Sequence, residues 1–264
     1  MLIGELINTS RDAVRIAVES RDDAFIRELA EEQEKAGADY VDVNCGSMIG
    51  QESEAMRWLV KIVQEVVSVP LCIDSPSLEV LELGLASSRE KSPMINSISA
   101  ETRRFREIIP LVTKYGAKVI ALCMDDGGIP ASADDRVKIA GRLVTDLSQA
   151  GVALNDIFLD PLVQPISTSE IAGREVLRAV DAINNAHPDA HLVSGLSNVS
   201  FGLPSRKLLN RTFLVQLMSA GMDSFLVDPL DRDLMGAYYA SAALLGIDEF
   251  GIGYIEQFRE GAFE

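Results

Sequence analysis

Short apolar, β-rich runs alternate with longer stretches of helical period from one end of this chain to the other, and that alternation limits its fold more than anything else. The apolar runs cover 2–7, 40–43, 71–73, 94–95, 119–123, 157–159, 192–194 and 225–227. Amphipathic stretches follow them at 23–36, 54–67, 78–85, 102–115, 134–150, 170–185, 208–220 and 232–245. A strand followed each time by a helix returns to the sheet in parallel, because a parallel crossover needs a dozen or more residues. Eight such units in 264 residues predict an α/β chain folded as a (β/α)8 TIM barrel, which typically takes about 250. Gly37, Gly116, Gly151 and Gly221 close helical patterns where a C-terminal cap is expected. No Pro/Gly/Ser-rich linker interrupts the alternation, so residues 1–264 are expected to form a single domain, with an extra C-terminal helix at about 250–263.

Composition narrows the function. A formal net charge of -16 disfavours nucleic acid and anionic membrane surfaces as partners, since both need clustered Lys and Arg. The N-terminus opens as MLIGELIN without a basic flank, and no apolar run approaches about 20 residues, so the expectation is a cytoplasmic protein without membrane association. The three cysteines, Cys45, Cys72 and Cys123, are far apart and odd in number, which predicts free thiols.

A barrel gathers the carboxyl ends of its strands at one mouth, where ligands bind. Here those ends carry Asn8, Asp42 with Asn44, Asp74, Asn96, Asp125, Asp160, Asn198 and Asp228. Taken singly, each reads as an Asx turn or a helix N-cap. A cap needs only an acceptor, and Ser or Thr would serve as well, so a ring made almost wholly of Asp and Asn points to a ligand rich in N–H donors and ring nitrogens. A fused nitrogen heterocycle such as a pterin fits. A carboxylate accepts two parallel N–H bonds, which suits a ring N–H beside an exocyclic amine, and Asp160 in FLDPL is the expected bidentate group. Asn198, in the stretch 192–206 whose short apolar run ends at Gly195 and turns polar, is the first candidate for chemistry.

The motifs GELIN, DVN, CIDS, MINS, LDPL and GLSNVS, then Arg206 and NRTF, occur in an order and spacing that resembles the methyltetrahydrofolate:corrinoid protein methyltransferases, the stand-alone type serving the acetyl-CoA pathway or the demethylation of methylated amines such as glycine betaine. The resemblance spans nearly the whole chain. It implies tetrahydrofolate or 5-methyltetrahydrofolate as substrate, a corrinoid (cobalamin) supplied by a separate partner protein, no metal bound by this chain, and a homodimer. Carried over by resemblance, Asp74, Asn96 and Asp160 hold the pterin, Gly195 and Ser197 line it, Asn198 approaches N5, and Arg206 sits at the rim. Asn8, Asp42, Asn44, Asp125 and Asp228 are further candidates. The segment CMDDGGIP departs from the family pattern, with Asp125 and Asp126 where relatives often carry an Asn-Lys pair.

Methyl transfer from N5 is difficult because a tertiary amine is a poor leaving group unless positive charge develops on it. An Asn side chain is neither acid nor base near neutral pH, so Asn198 is expected to stabilise protonated N5 by hydrogen bonding, the proton coming from water, relayed by a carboxylate. The nearest rival is a dihydropteroate synthase-like enzyme. That family ends its seventh-strand motif in Ser-Arg-Lys for a pyrophosphate leaving group, whereas this chain has Ser197-Asn198-Val199. A non-catalytic folate-binding barrel is the other alternative. The two histidines, His187 and His191, precede the seventh strand on the face of a barrel that serves stability, so a zinc site is not expected. The run from Asp189 to Ser194 approaches the D-x-H-x-x-G signature of corrinoid-binding domains but ends in Ser, which places the corrinoid on another protein.

Overall fold

The computed structural model describes residues 1–89 and 92–263. β1 (Leu2–Asn8) leads into α1 (Asp12–Ser20) and α2 (Asp23–Lys35), and a regular alternation follows. It runs through β2 (Tyr40–Asn44), α3 (Glu52–Val63), β3 (Leu71–Asp74), α4 (Leu78–Ser87), β4 (Met94–Ser99), α5 (Thr102–Tyr115), β5 (Lys118–Leu122) and α6 (Ala133–Gln149). It ends with β6 (Ile157–Asp160), α7 (Ala172–Ala186), β7 (His191–Gly195), α8 (Arg206–Ser219), β8 (Ser224–Val227), α9 (Arg232–Leu244) and α10 (Ile252–Arg259). The strands pair in sequence order, all parallel, and β8 returns to β1 to close the barrel. This is the (β/α)8 TIM barrel that the alternation predicts.

Local chemistry sets the helix ends. Asp22, Ser77, Ser132 and Asp231 each accept a backbone N–H in the first turn of α2, α4, α6 and α9. Gly116 ends α5 at φ 56, a left-handed conformation that glycine adopts without strain.

Two apolar layers result. The larger lies between strands and helices. The smaller fills the bottom of the barrel with one residue per strand: Ile3, Tyr40, Cys72, Met94, Ile120, Phe158 and Val193, with Leu226 packed against them. That plug closes the barrel from below, so a ligand has access only from the mouth.

Three elements differ from expectation. α1 is absent from the sequence reading, and it is a weak helix by local signals: nine residues, with Arg11 at the N-cap supplying no side-chain bond. β4 runs on through Asn96 and Ser97 to Ser99, well past the predicted 94–95, because its polar end still pairs with β5 across a register shift between Asn96 and Ile98. The C-terminal segment contains α10, shorter than expected, after a turn at Glu249–Gly251. His191 is the first residue of β7, at the barrel's closed end, stacked on Phe158 at 4.5 Å between ring centroids.

Candidate active site

Side chains two residues apart on a strand point to the same side, so the layer above the apolar plug can be read directly from it. Adding two to each plug residue gives Glu5, Asp42, Asp74, Asn96, Leu122, Asp160, Gly195 and Asp228. A polar, largely acidic floor therefore lies on the apolar one, facing the mouth. The register sets Asn44 beside Asp74 and Asp74 beside Asn96 on three consecutive strands, and Asp160 beside Leu122.

This floor is hydrogen-bonded across strands. Asn44 Nδ2 donates to Asp74 Oδ2 at 2.6 Å, and Asn96 Nδ2 donates to Asp42 Oδ1 at 3.4 Å. Arg104 of α5 stands behind it and donates to the carbonyls of Ser97, Pro76 and Ser75, tying the loops after β3 and β4 together. Asp74, Asn96, Leu122 and Arg104 line a cleft of about 320 Å³, within the range of small-molecule sites.

Burying carboxylates in this way favours their neutral forms. Burial, reinforced by Asp74 close by, holds Asp42 well above the usual carboxylate range. Burial raises Asp74 to about 6, while Asn44 and Arg104 pull it back. Asp160, 8% exposed, is pushed up to about 7 by burial, against the Leu162 N–H, which it accepts at 2.7 Å, and the charge of Arg136. Burial also raises Glu5 to about 7, against the pull of Arg11. Several carboxyls raised by burial on one layer of the barrel are what a candidate functional site presents.

At the rim, the turn Leu196–Ser200 follows β7 and carries Asn198. Arg206 holds this turn, donating through Nη2 to the Ser197 carbonyl at 2.8 Å and through Nε to Ser200 Oγ at 3.1 Å, with its guanidinium over the Phe201 ring. Asn198 is exposed, and its side chain makes no hydrogen bond among the described residues, so the amide is free to meet a ligand. Gly195 lies beside this amide, where a Cβ would meet Asn198 Nδ2 at 3.8 Å, an ordinary contact.

The remaining candidates divide. Asp42 and Asn44 belong to the floor. Asn8 accepts the Ser10 N–H at 2.9 Å and forms an ordinary Asx turn. Asp228 accepts the Leu230 N–H at 2.9 Å in the same way, while its charge also reaches Glu5. Asp125 is turned aside: it accepts from Gly127 N and pairs with Arg142 at 3.2 Å, lining a separate depression with Lys138. Asp126 accepts from the Thr102 N–H and caps α5, which gives the unusual Asp125-Asp126 pair a structural role.

Glu5, Arg104 and Arg136 escape a reading confined to strand ends. Glu5 had a signal, a single charge inside the apolar run LIGELIN and two residues on from Ile3. The two arginines lie on helices, and nothing in their local sequence marks them as facing the site.

A family model described as pterin binding enzyme matches residues 4–228. A methylcorrinoid:tetrahydrofolate methyltransferase of Eubacterium limosum is 38% identical over 99% of this chain and 97% of its own length. A methionine synthase of Mycobacterium tuberculosis is 32% identical over 86% of this chain, which spans only 20% of that larger protein. Among solved structures, a dihydropteroate synthase of Vibrio fischeri superposes with a TM-score of 0.70 at 15% identity, covering 92% of each chain. One from Yersinia pestis gives 0.69 at 16% identity, covering 93% of this chain and 94% of that one. At such low identity the last two bear on the fold alone. By the family match and the near full-length relative, this chain belongs to the pterin-binding enzymes.

Proposed function

We propose that this protein transfers a methyl group between N5 of tetrahydrofolate and the cobalt of a corrinoid carried on a separate protein. The observation that carries this reading is a floor of Asp74, Asn96 and the buried Asp160 beneath one uncommitted amide, Asn198, at the rim. Asp160 and its neighbours accept the N–H groups of the pterin ring, and Asn96 and Asn44 match its mixed donors and acceptors. Asn198 accepts from the N5 proton, stabilising the charge that makes the amine a leaving group and that forms again when N5 attacks in the opposite direction. Glu5, raised to about 7 by burial, is a floor group able to hold that proton near neutral pH.

The corrinoid's cobalt takes up or delivers the methyl group. The mouth suits a bulky macrocycle, since Ile49, Ile129 and Phe201 are exposed on the loops after β2, β5 and β7. The resemblance to the stand-alone methyltransferases supports placing the corrinoid on a partner protein.

A dihydropteroate synthase would need a free cation for departing pyrophosphate. Arg104 is committed to carbonyls, Arg136 is buried, and Arg206 is tied to its own turn. That commitment favours methyl transfer. Two further readings complete the proposal: a homodimer, supported by apolar side chains exposed around α10, and a cytoplasmic protein whose charge of -16 argues against nucleic-acid and anionic-membrane partners. No helix among the described residues is long and apolar enough to cross a membrane.

The test is methyl transfer from 5-methyltetrahydrofolate to free Co(I) cobalamin, followed by absorbance. Turnover supports the reading, and folate binding without turnover would reduce the protein to a binding barrel.

A further inference from the structure

A guanidinium in a protein interior ordinarily sits against a carboxylate, because an isolated buried charge is costly. Arg136 of α6 does not. It is 0% exposed, and its bonds all go to backbone carbonyls: Nε to Pro161 at 2.7 Å, and Nη1 to Ala131 at 2.9 Å and Ser132 at 3.2 Å. Nη2 has no hydrogen-bond partner among the described residues.

The contact with Pro161 falls at a telling place. Pro161 and Leu162 follow Asp160 directly, and Leu162 sits at φ 62, a left-handed conformation that a branched side chain rarely adopts. That conformation aims the Leu162 N–H at Asp160 Oδ1. The strained turn is thus pinned from outside the barrel by the one guanidinium whose charge is felt at Asp160.

We propose that Arg136 is a positioning residue of the pterin site, holding the Pro161–Leu162 turn in place and supplying the positive charge behind Asp160 that keeps this carboxylate an acceptor for ring N–H groups. The proposal rests on the reading of Asp160 as the pterin's acceptor. It explains why a cation is buried without an acidic partner: a carboxylate at hydrogen-bond distance would cancel the field that Asp160 requires. Glu175 of α7 also stands near Arg136, but it accepts from the Ala133 N–H at 2.9 Å and pairs with Arg178 at 3.1 Å. The other titratable group facing Asp160 is Cys123 at the end of β5, whose thiol burial keeps protonated.

Since the pterin needs an ionised Asp160, wild-type affinity should rise through about pH 7 and level off above it. Loss of the Arg136 charge should move that limb upward. The experiment is calorimetric titration of the full chain with 5-methyltetrahydrofolate from about pH 6 to about pH 9, in wild type, Arg136→Met and Arg136→Lys, with circular dichroism to establish folding. With the limb moved up by about one pH unit, the methionine variant should bind roughly fivefold more weakly at pH 7 and regain most of the loss by about pH 9. The lysine variant, which keeps the charge but sets it farther back, should shift in the same direction by a smaller factor. A folded methionine variant with the wild-type profile, or with an equal loss at every pH, overturns the proposal. If that variant does not fold, the lysine variant decides, and an unmoved limb overturns it. Should wild type bind no folate, the pterin reading itself fails. The carboxyl carbon resonance of Asp160, assigned through Asp160→Asn and titrated without folate, then still shows whether Arg136 sets its ionisation.

Discussion

Asp160 is held where a charged carboxylate is costly, and on the proposed function that is because recognition of ring N–H groups needs its acceptor in a dry place. The cost can be measured. With its carboxyl raised from 3.8 to about 7, the folded chain keeps a proton that the unfolded chain has already lost across that window. Stability from this group is therefore lost as pH rises from about 4 to about 7. Asp160→Asn removes the titration and keeps an oxygen for the Leu162 N–H, so it should stabilise the protein at about pH 7.5 by roughly 1–3 kcal/mol. The same variant should lose most folate affinity, since bonds to a charged acceptor are worth about 1.5–3 kcal/mol each. Thermal melts and calorimetry on one sample test both, and a destabilised variant that still binds folate would contradict the assignment. Asn198 presents the opposite case, an exposed amide assigned to charge that develops only during transfer. Asn198→Ala should weaken folate binding modestly and slow single-turnover transfer by about 10². Lowering the pH should recover part of that loss in the direction from methyltetrahydrofolate to Co(I). Equal losses in binding and rate would make Asn198 no more than a pocket wall.

Helices hold the floor in register from behind, and at α4 the fit is close. A Cβ on the buried Gly84 would stand 2.5 Å from Ile73 Cγ2 and 3.2 Å from Met56 Cγ, and Ile73 immediately precedes Asp74. Gly84→Ala gains about 1 kcal/mol of helix propensity but overpacks a tight contact, which typically costs about 1–3 kcal/mol. The expected net is a loss of about 1 kcal/mol in urea unfolding, with weaker folate binding as Asp74 shifts, and a stabilised variant would show that α4 moves away freely. The elements were legible where two periods agree with their end signals: most strands are apolar runs, and helices such as α2, α4, α5, α6 and α9 carry a capping side chain or a terminal glycine. α1 lacked such signals, and β4 extends through residues too polar to read as strand. At the site, strand ends were visible because Asp and Asn cluster there. Which of them bend into Asx-type contacts, at Asn8 and Asp228 and also at Asn44 and Asp160 of the floor, depends on side-chain direction. Burial of Arg136 and Arg104 is a property of packed helices that no local pattern carries.

Across the whole molecule, apolar surface is unevenly distributed. Around the end of α9 and along α10, Leu244, Leu245, Ile247, Phe250, Ile252, Ile255 and Phe258 are all exposed, with Leu244 at 88% and Phe250 at 87%. Monomeric proteins seldom expose a contiguous apolar patch larger than a few hundred Å², and a chain of net charge -16 has ample polar residues to avoid one. Helices of a barrel run from its mouth back toward its closed end, so the C-terminal end of α9 is remote from Asn198 and Asp160. A pairing surface here would leave each mouth open to a corrinoid-bearing partner. The expected state is therefore a homodimer joined through this face, as a two-fold contact in which one patch meets its own copy. Phe250→Asp combined with Leu244→Asp should place two desolvated carboxylates from each subunit in that contact and give a monomer in sedimentation equilibrium. Folate affinity should stay at the wild-type value, because neither residue touches the floor or the rim. A wild type that sediments as a monomer, or a double variant that remains a dimer, would move the interface elsewhere and leave this apolar face for another role.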